Sequence, residues 1–299
     1  MRGERSPATK EPIMVTRSFR SLPTWRRVAL ASWQAADDPT IYGWLDIDAT
    51  KLLAYVQAQR ERGHAGVTLT HVVGKAAALA LSEVPECNVV VGRRGLWQRG
   101  SVDVFFSVAL DGGKNLAGTK LSAVDGMSVP EIAAALAKRV EEIRVAKSSP
   151  IQRSQSVLAK LPQRLLRGVM HASTSLYFDY GLDLSALGIV KDPFGSIVVT
   201  NVGVLGVEQG FAPLIPAGRT AALLTVGKVR DKVIAVGGTP QVRPVVTLGG
   251  TFDHRVVDGA HLGKIASRLR EILEAPAAEL ADLGAATAPA AGVTAEKYN

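Results

Sequence analysis

A histidine at the edge of a hydrophobic core can take a proton from a substrate and return it near neutral pH. His254 is the candidate, within Thr251-Phe252-Asp253-His254-Arg255-Val256-Val257-Asp258-Gly259-Ala260. An apolar, β-prone run, Val242 to Leu248, leads into this stretch. A helical pattern with Leu262, Ile265, Leu269, Ile272 and Leu273 on one stripe follows it. The spacing therefore predicts His254 where a strand ends, just before a helix begins. Taken alone, such a histidine is ordinarily a hydrogen-bonded structural residue. His254, Asp258 and His261 also have the spacing of a metal site. Gly259 interrupts that turn, however, and no cysteine or further histidine cluster completes a ligand set, so no metal is expected.

The elements that must position this stretch read as one α/β (α+β) domain over residues 22–276. A helix over 24–36 is followed by a strand over 40–47. Asp48 caps a helix over 49–62 with Leu52, Leu53 and Val56 inward. Thr68 or Thr70 caps a helix over 71–84 that is Ala-rich, apolar nearly all round and so predicted to be buried. Strands follow over 88–91 and 97–110, then a turn over 111–115. Ser128 and Glu131 make a capping box that opens a helix reaching about Lys147. The carboxyl half reads as strands over 196–200, 221–229, 233–236 and 242–252, with hairpin turns at 229–233 and Gly237-Gly238. Residues 1–21 form a basic flexible arm, and 277–299, rich in Ala, Pro and Gly, a flexible tail.

Composition narrows the function. The 299 residues are 47% apolar and carry a formal net charge of +8, which favours anionic partners. Few aromatics are interleaved with the basic residues and no nucleic-acid motif appears, so nucleic acid is not expected. One cysteine, Cys87, excludes an intramolecular disulfide and fits a reducing cytoplasm. It has no paired motif and reads as a buried structural thiol. No apolar run reaches the roughly 18 residues of a membrane span.

The string Asp253-His254-Arg255-Val256-Val257-Asp258-Gly259 resembles the active-site signature of the dihydrolipoamide acyltransferases, the E2 components of 2-oxoacid dehydrogenase complexes. Chloramphenicol acetyltransferases share their fold and the His-x-x-x-Asp-Gly core. Gly195-Ser-Ile-Val-Val-Thr200-Asn201-Val-Gly203 resembles the family's Gly-x-Phe-x-Ile-Ser/Thr-Asn-x-Gly, and the likeness extends from about residue 22 to 276. It implies a chloramphenicol acetyltransferase-like two-layer sandwich, with a mixed sheet and packed helices. It also implies coenzyme A as a substrate and a thiol of the dihydrolipoamide type as partner. His254 would be the general base and Thr200 the donor to the tetrahedral oxyanion. Asp258 would orient the loop, paired with Arg26 or Arg27, and Asn201, Gly203, Arg255 and Gly259 would support the site. For Thr200 alone, a strand threonine paired across the sheet is the ordinary reading; its motif carries the role. The family assembles as trimers with active sites between subunits, often built into cages, so self-association is expected.

Three departures follow. The arm is too short for a lipoyl domain, so the lipoamide is expected free or on a separate protein, with dehydrogenase components as further partners. Asn115-Leu-Ala-Gly-Thr-Lys120 replaces the family's Val- and Pro-rich stretch beside the substrate channel. An insertion spans about 148–192 and carries Lys160, Arg164 and Arg167 among apolar residues. It reads as a helix packed on the core or on a neighbouring subunit, and more weakly as an interfacial helix on an anionic membrane. Pro162 and Gly168 weaken any long helix there. Lys114, Lys120, Lys191 and Arg219 are the expected contacts to the coenzyme A phosphates. Alternatives are an E2-like scaffold without turnover, or an acetyltransferase for another small acceptor.

Overall fold

Period-two apolar runs become strands here, and the 3.6-period stripes become helices. The computed structural model describes residues 38–92, 95–110, 115–145, 162–180, 182, 192–215 and 218–280. In chain order these include β1 (Thr40–Asp48), α1 (Thr50–Glu61), α2 (Leu69–Ser82), β2 (Val89–Gly92), β3 (Gly95–Gln98), β4 (Val104–Leu110) and β5 (Asn115–Leu121). Next come α3 (Val129–Val145), α4 (Gln163–Phe178), β6 (Ile197–Asn201), β7 (Ala222–Val226), β8 (Arg230–Val236) and β9 (Thr239–Asp253). Then follow α5 (Gly259–Glu274) and one further turn, α6 (Pro276–Glu279). The arm, the helix expected over 24–36, most of 148–191 and the tail beyond 280 lie outside the described residues.

Seven strands form one mixed sheet in the order β1-β9-β7-β6-β4-β5, with β8 paired to β9. β4, β6 and β7 run parallel, and the other pairs are antiparallel. β2 and β3 make a separate hairpin. Alternation along the central strands divides two faces. Val104, Phe106, Ile197, Val199, Ala222, Leu224 and Phe252 point into the main core, shared with the helices. Phe105, Val198 and Leu223 point the other way and are covered by Phe194, Ala212, Leu214 and Ile215. This is the expected mixed sheet with packed helices.

α2 is buried nearly all round, as its composition requires, and packs on β4, β6, α3 and α5. A Cβ at Gly74 would sit 2.3 Å from the Phe106 ring, so glycine lets the helix backbone settle on the sheet. Lys75, fully buried beside it, donates to the carbonyls of Val124 (3.3 Å) and Asp125 (2.5 Å). Burial pulls its pKa down to about 8. The capping box of α3 forms as expected: the Glu131 carboxylate accepts from the Ser128 N–H at 2.7 Å.

Several expectations are corrected. The strand expected over 97–110 is two strands. The chain breaks at 99–103, where Asp103 accepts from the Ser101 hydroxyl and the Ala123 N–H, and β3 joins a different sheet. β5 has too few apolar residues to read as a strand; it forms because β4 offers it a free edge. The turn expected at 229–233 is mostly strand. β8 pairs with the first half of β9, not with β7, while β7 pairs with the second half. Gly237-Gly238 does make the β8–β9 hairpin turn. Pro162 does not prevent a helix: it precedes the first residue of the sixteen-residue α4, where its missing N–H costs nothing. Order also runs past residue 276, because Leu280 is buried in the core. Among the described residues, no helix is long and apolar enough to cross a membrane.

Candidate active site

β9 delivers His254. The strand ends at Asp253, whose N–H bonds the Ala221 carbonyl, and the His254 N–H bonds the Pro39 carbonyl at 2.8 Å. A tight turn follows, with the N–H groups of Val256 and Val257 both donating to the Asp253 carbonyl. The turn brings the Val257 carbonyl oxygen to 3.0 Å from His254 Nδ1. A carbonyl only accepts, so the neutral ring that makes this bond carries its proton on Nδ1, which leaves the Nε2 lone pair available. The residue is exposed. A positioned, accessible imidazole with Nε2 as acceptor is the form a general base needs.

The rest of the signature holds this turn. The Asp253 carboxylate accepts from the Arg255 backbone N–H (3.0 Å), Nε (3.0 Å) and Nη2 (2.6 Å). Asp258 caps α5, accepting from the N–H groups of Ala260 (2.9 Å) and His261 (3.0 Å). The His261 N–H, more than any other group, holds the Asp258 carboxyl below its usual range. His261 Nδ1 accepts from the Asp258 N–H in return. Asp258 therefore fixes the start of the helix that follows the His254 turn; Arg26 and Arg27, its expected partners, lie outside the described residues.

Thr200 is half-buried near the end of β6, on the face away from the helices. Among the described residues, no hydrogen bond engages its hydroxyl. Asn201 donates to the Thr70 hydroxyl of α2 at 2.8 Å, a partner the sequence did not reveal, and accepts from the Val204 N–H. Gly203 is required by close approach: a Cβ there would lie 2.6 Å from the Gly227 carbonyl oxygen.

Thr200 and His254 do not meet within the chain. The sheet register aligns Thr200 with Thr225 and Gly249, two strands across. His254 lies five residues beyond Gly249. Along the pleat and across two strands this is a separation on the order of 20 Å. A base and an oxyanion donor serving one thioester must each come within about 3 Å of it.

The expected phosphate contacts are committed elsewhere. Lys120 pairs with Asp103 at 2.9 Å and lies 3.7 Å from Asp192. Arg219 holds both carboxylate oxygens of Asp179, at 2.5 and 2.9 Å. Neither is an unneutralised cation facing a channel; the sequence could not show this, because both acidic partners are distant in the chain. Lys114 and Lys191 lie outside the described residues. Cys87 is buried, and burial pushes its thiol up to about 11, so it stays protonated. A cleft of about 390 Å³ opens beside the His254 turn, lined in part by Pro39, Ile215, Arg219, Thr220, Asp253 and Arg255.

The family model described as 2-oxoacid dehydrogenases acyltransferase (catalytic domain) matches residues 22–158 and 193–281. The chain belongs to this family. The unmatched stretch of this acyltransferase-family chain, 159–192, coincides with most of the insertion. A curated relative is the dihydrolipoyllysine-residue acetyltransferase component of the pyruvate dehydrogenase complex of Zymomonas mobilis. It is 22% identical over 246 residues, covering 81% of this chain and 46% of that protein. The succinyltransferase component of the mouse mitochondrial 2-oxoglutarate dehydrogenase complex is 33% identical over 89 residues, covering 30% of this chain and 19% of that protein. The chain thus spans less than half the length of either.

Two solved structures have the same fold. One is the dihydrolipoamide acetyltransferase of Azotobacter vinelandii, solved to probe a serine, a histidine and, four positions on, an asparagine in its mechanism (TM-score 0.60, 21% identity, 90% of this chain and 98% of that one). The other is the cubic core of a pyruvate dehydrogenase multienzyme complex (TM-score 0.58, 22% identity, 90% and 98%).

Proposed function

We propose that this chain is a CoA-dependent acyltransferase that moves an acyl group between coenzyme A and a thiol of the dihydrolipoamide type, at a site shared by two copies. The observation that carries the reading is the His254 Nδ1 bond to Val257, which leaves Nε2 free inside the family signature. Nε2 takes the proton from the attacking thiol. The thiolate sulfur forms a bond to the thioester carbon, and the carbonyl oxygen becomes an oxyanion that the Thr200 hydroxyl stabilises. Collapse breaks the other carbon–sulfur bond, and His254 returns its proton to the departing thiolate. A thiol with a pKa near 8.5 is mostly protonated at pH 7, so the base supplies thiolate where it is needed.

The separation of His254 from Thr200 within one chain supports a second copy providing the missing half. So does the sheet face that carries Thr200. Tyr42 and Trp44 are 56% and 68% exposed there, and the Tyr42 and Phe211 rings meet at 5.5 Å. Apolar aromatics of this size in open solvent mark an interaction surface. Assembly into a trimer or larger cage, and a lipoyl group carried by another protein, belong to the same proposal.

A complementation experiment tests it. His254→Ala should cut turnover at least about a hundredfold, and Thr200→Val by a similar factor through kcat. Co-expressed as one mixed assembly, the two variants should regain about a quarter of wild-type activity, because sites between copies then pair an intact His254 with an intact Thr200. No recovery means the site is not shared. No thiol release by the wild type across acyl-CoAs, with free and protein-bound dihydrolipoamide, means the chain is a scaffold or serves another acceptor.

A further inference from the structure

The insertion, most of which the family model leaves unmatched, reaches the cleft beside His254 through an ion pair. α4 ends at Phe178, and Asp179 follows with its side chain 5% exposed. Both Asp179 oxygens are held by the Arg219 guanidinium, whose carbon lies 5.2 Å from the centre of the Phe178 ring. The same guanidinium donates to the Val91 carbonyl of the β2–β3 hairpin at 3.3 Å. Arg219 is also a non-glycine residue in the left-handed backbone region (φ +46°), a strained setting kept where a side chain is needed in place. On its other side Arg219 lines the cleft of about 390 Å³ that contains Asp253 and Arg255, the flanks of His254.

The charges in this cleft cancel in pairs. Arg255 is neutralised by Asp253 from β9, and Arg219 by Asp179 from the insertion. The remaining wall is mostly apolar: Pro39, Val91, Leu214 and Ile215. Resting on the acyl-transfer reading above, we infer that Asp179 is a specificity-determining residue. It masks the Arg219 cation, so the cleft admits a slender, uncharged thiol arm rather than an anionic one. The insertion thus supplies a charge to the cleft beside the His254 turn, and Asp179 acts through Arg219 as a positioning residue.

The test compares two acceptors that differ only in charge, dihydrolipoamide and dihydrolipoate, with acetyl-CoA as donor. Asp179→Asn exposes an uncompensated guanidinium to the cleft. The ratio of kcat/KM for the acid over the amide should rise about fivefold at low salt and fall back towards the wild-type value at high salt. Asp179→Asn with Arg219→Gln removes both charges and leaves neither buried alone, so it remains testable if the single variant does not fold. Its ratio should return to the wild-type value. An unchanged ratio in the folded single variant overturns the inference, as does a ratio in the double variant that departs more than twofold from wild type. Absence of turnover by the wild-type protein with the amide defeats the acyl-transfer reading instead, so the two failures are distinct.

Discussion

The side-chain amide of Asn201 donates to the hydroxyl of Thr70 at 2.8 Å, joining residues 131 positions apart. The bond ties the end of β6, one residue beyond Thr200, to the first turn of α2. Because α2 is buried nearly all round, it is a firm anchor for the strand end. Thr70→Val removes the acceptor and leaves the amide short of a partner, at a cost of about 1 kcal/mol. If Thr200 aims a hydroxyl at a developing oxyanion, a small displacement lowers kcat about tenfold with little change in acyl-CoA KM. Steady-state kinetics beside a thermal melt check this; unchanged kcat in a destabilised variant would show that the bond serves stability alone.

Asp258 works through hydrogen bonds that an asparagine side chain can also accept. Asn and Asp are comparable helix caps, and Ala is a poor one. Asp258→Asn should therefore keep the α5 start and most of the turnover, whereas Asp258→Ala should lower both the melting temperature and kcat. Equal losses in the two variants would mean that the carboxylate charge, not the cap, matters.

Lys120 is a structural cation. Burial raises the Asp103 carboxyl, but hydrogen bonds from Lys120 and Ser101 outweigh this and hold it below its usual range. Such a depressed carboxylate adds stability above its unfolded pKa and loses it as pH falls through the folded one. Lys120→Met leaves Asp103 without its cation, at a cost of about 2 kcal/mol after allowing for partial exposure. The acyl-CoA KM should stay within about twofold. A large rise in KM without loss of stability would restore Lys120 as a phosphate contact.

His71 sets an acid limit on the fold. Burial at the start of α2 pulls its pKa down to about 4, so it folds as the neutral ring. Between pH 6.5 and 4 the unfolded chain binds a proton that the folded chain refuses, so stability falls as pH falls through this window. The full effect is on the order of 3 kcal/mol. Denaturant titrations of wild type and His71→Gln over pH 7 to 4 should diverge, the variant losing less stability on acidification. Parallel curves would exclude His71 as the group responsible.

The sequence alone places His254 at a strand-to-helix junction, because the signals are local. A β-prone run precedes it, and an amphipathic stripe comes after. The Ser128–Glu131 box is legible for the same reason, because its bonds span three residues. The burial of α2 is legible because no face of it is polar. Other features depend on which strands become neighbours, and these stayed hidden. The separation of His254 from Thr200 follows from the order β9-β7-β6 and its register. The second half of β9 pairs with β7 and the first with β8, and nothing within either short strand fixes that choice. Lys120 and Arg219 read as available cations until folding brings Asp103 and Asp179 against them. Strand order, register and long-range ion pairs are set by apolar burial and backbone pairing across the whole sheet. Only the tertiary structure could therefore decide that His254 and Thr200 stand apart within one copy of the chain.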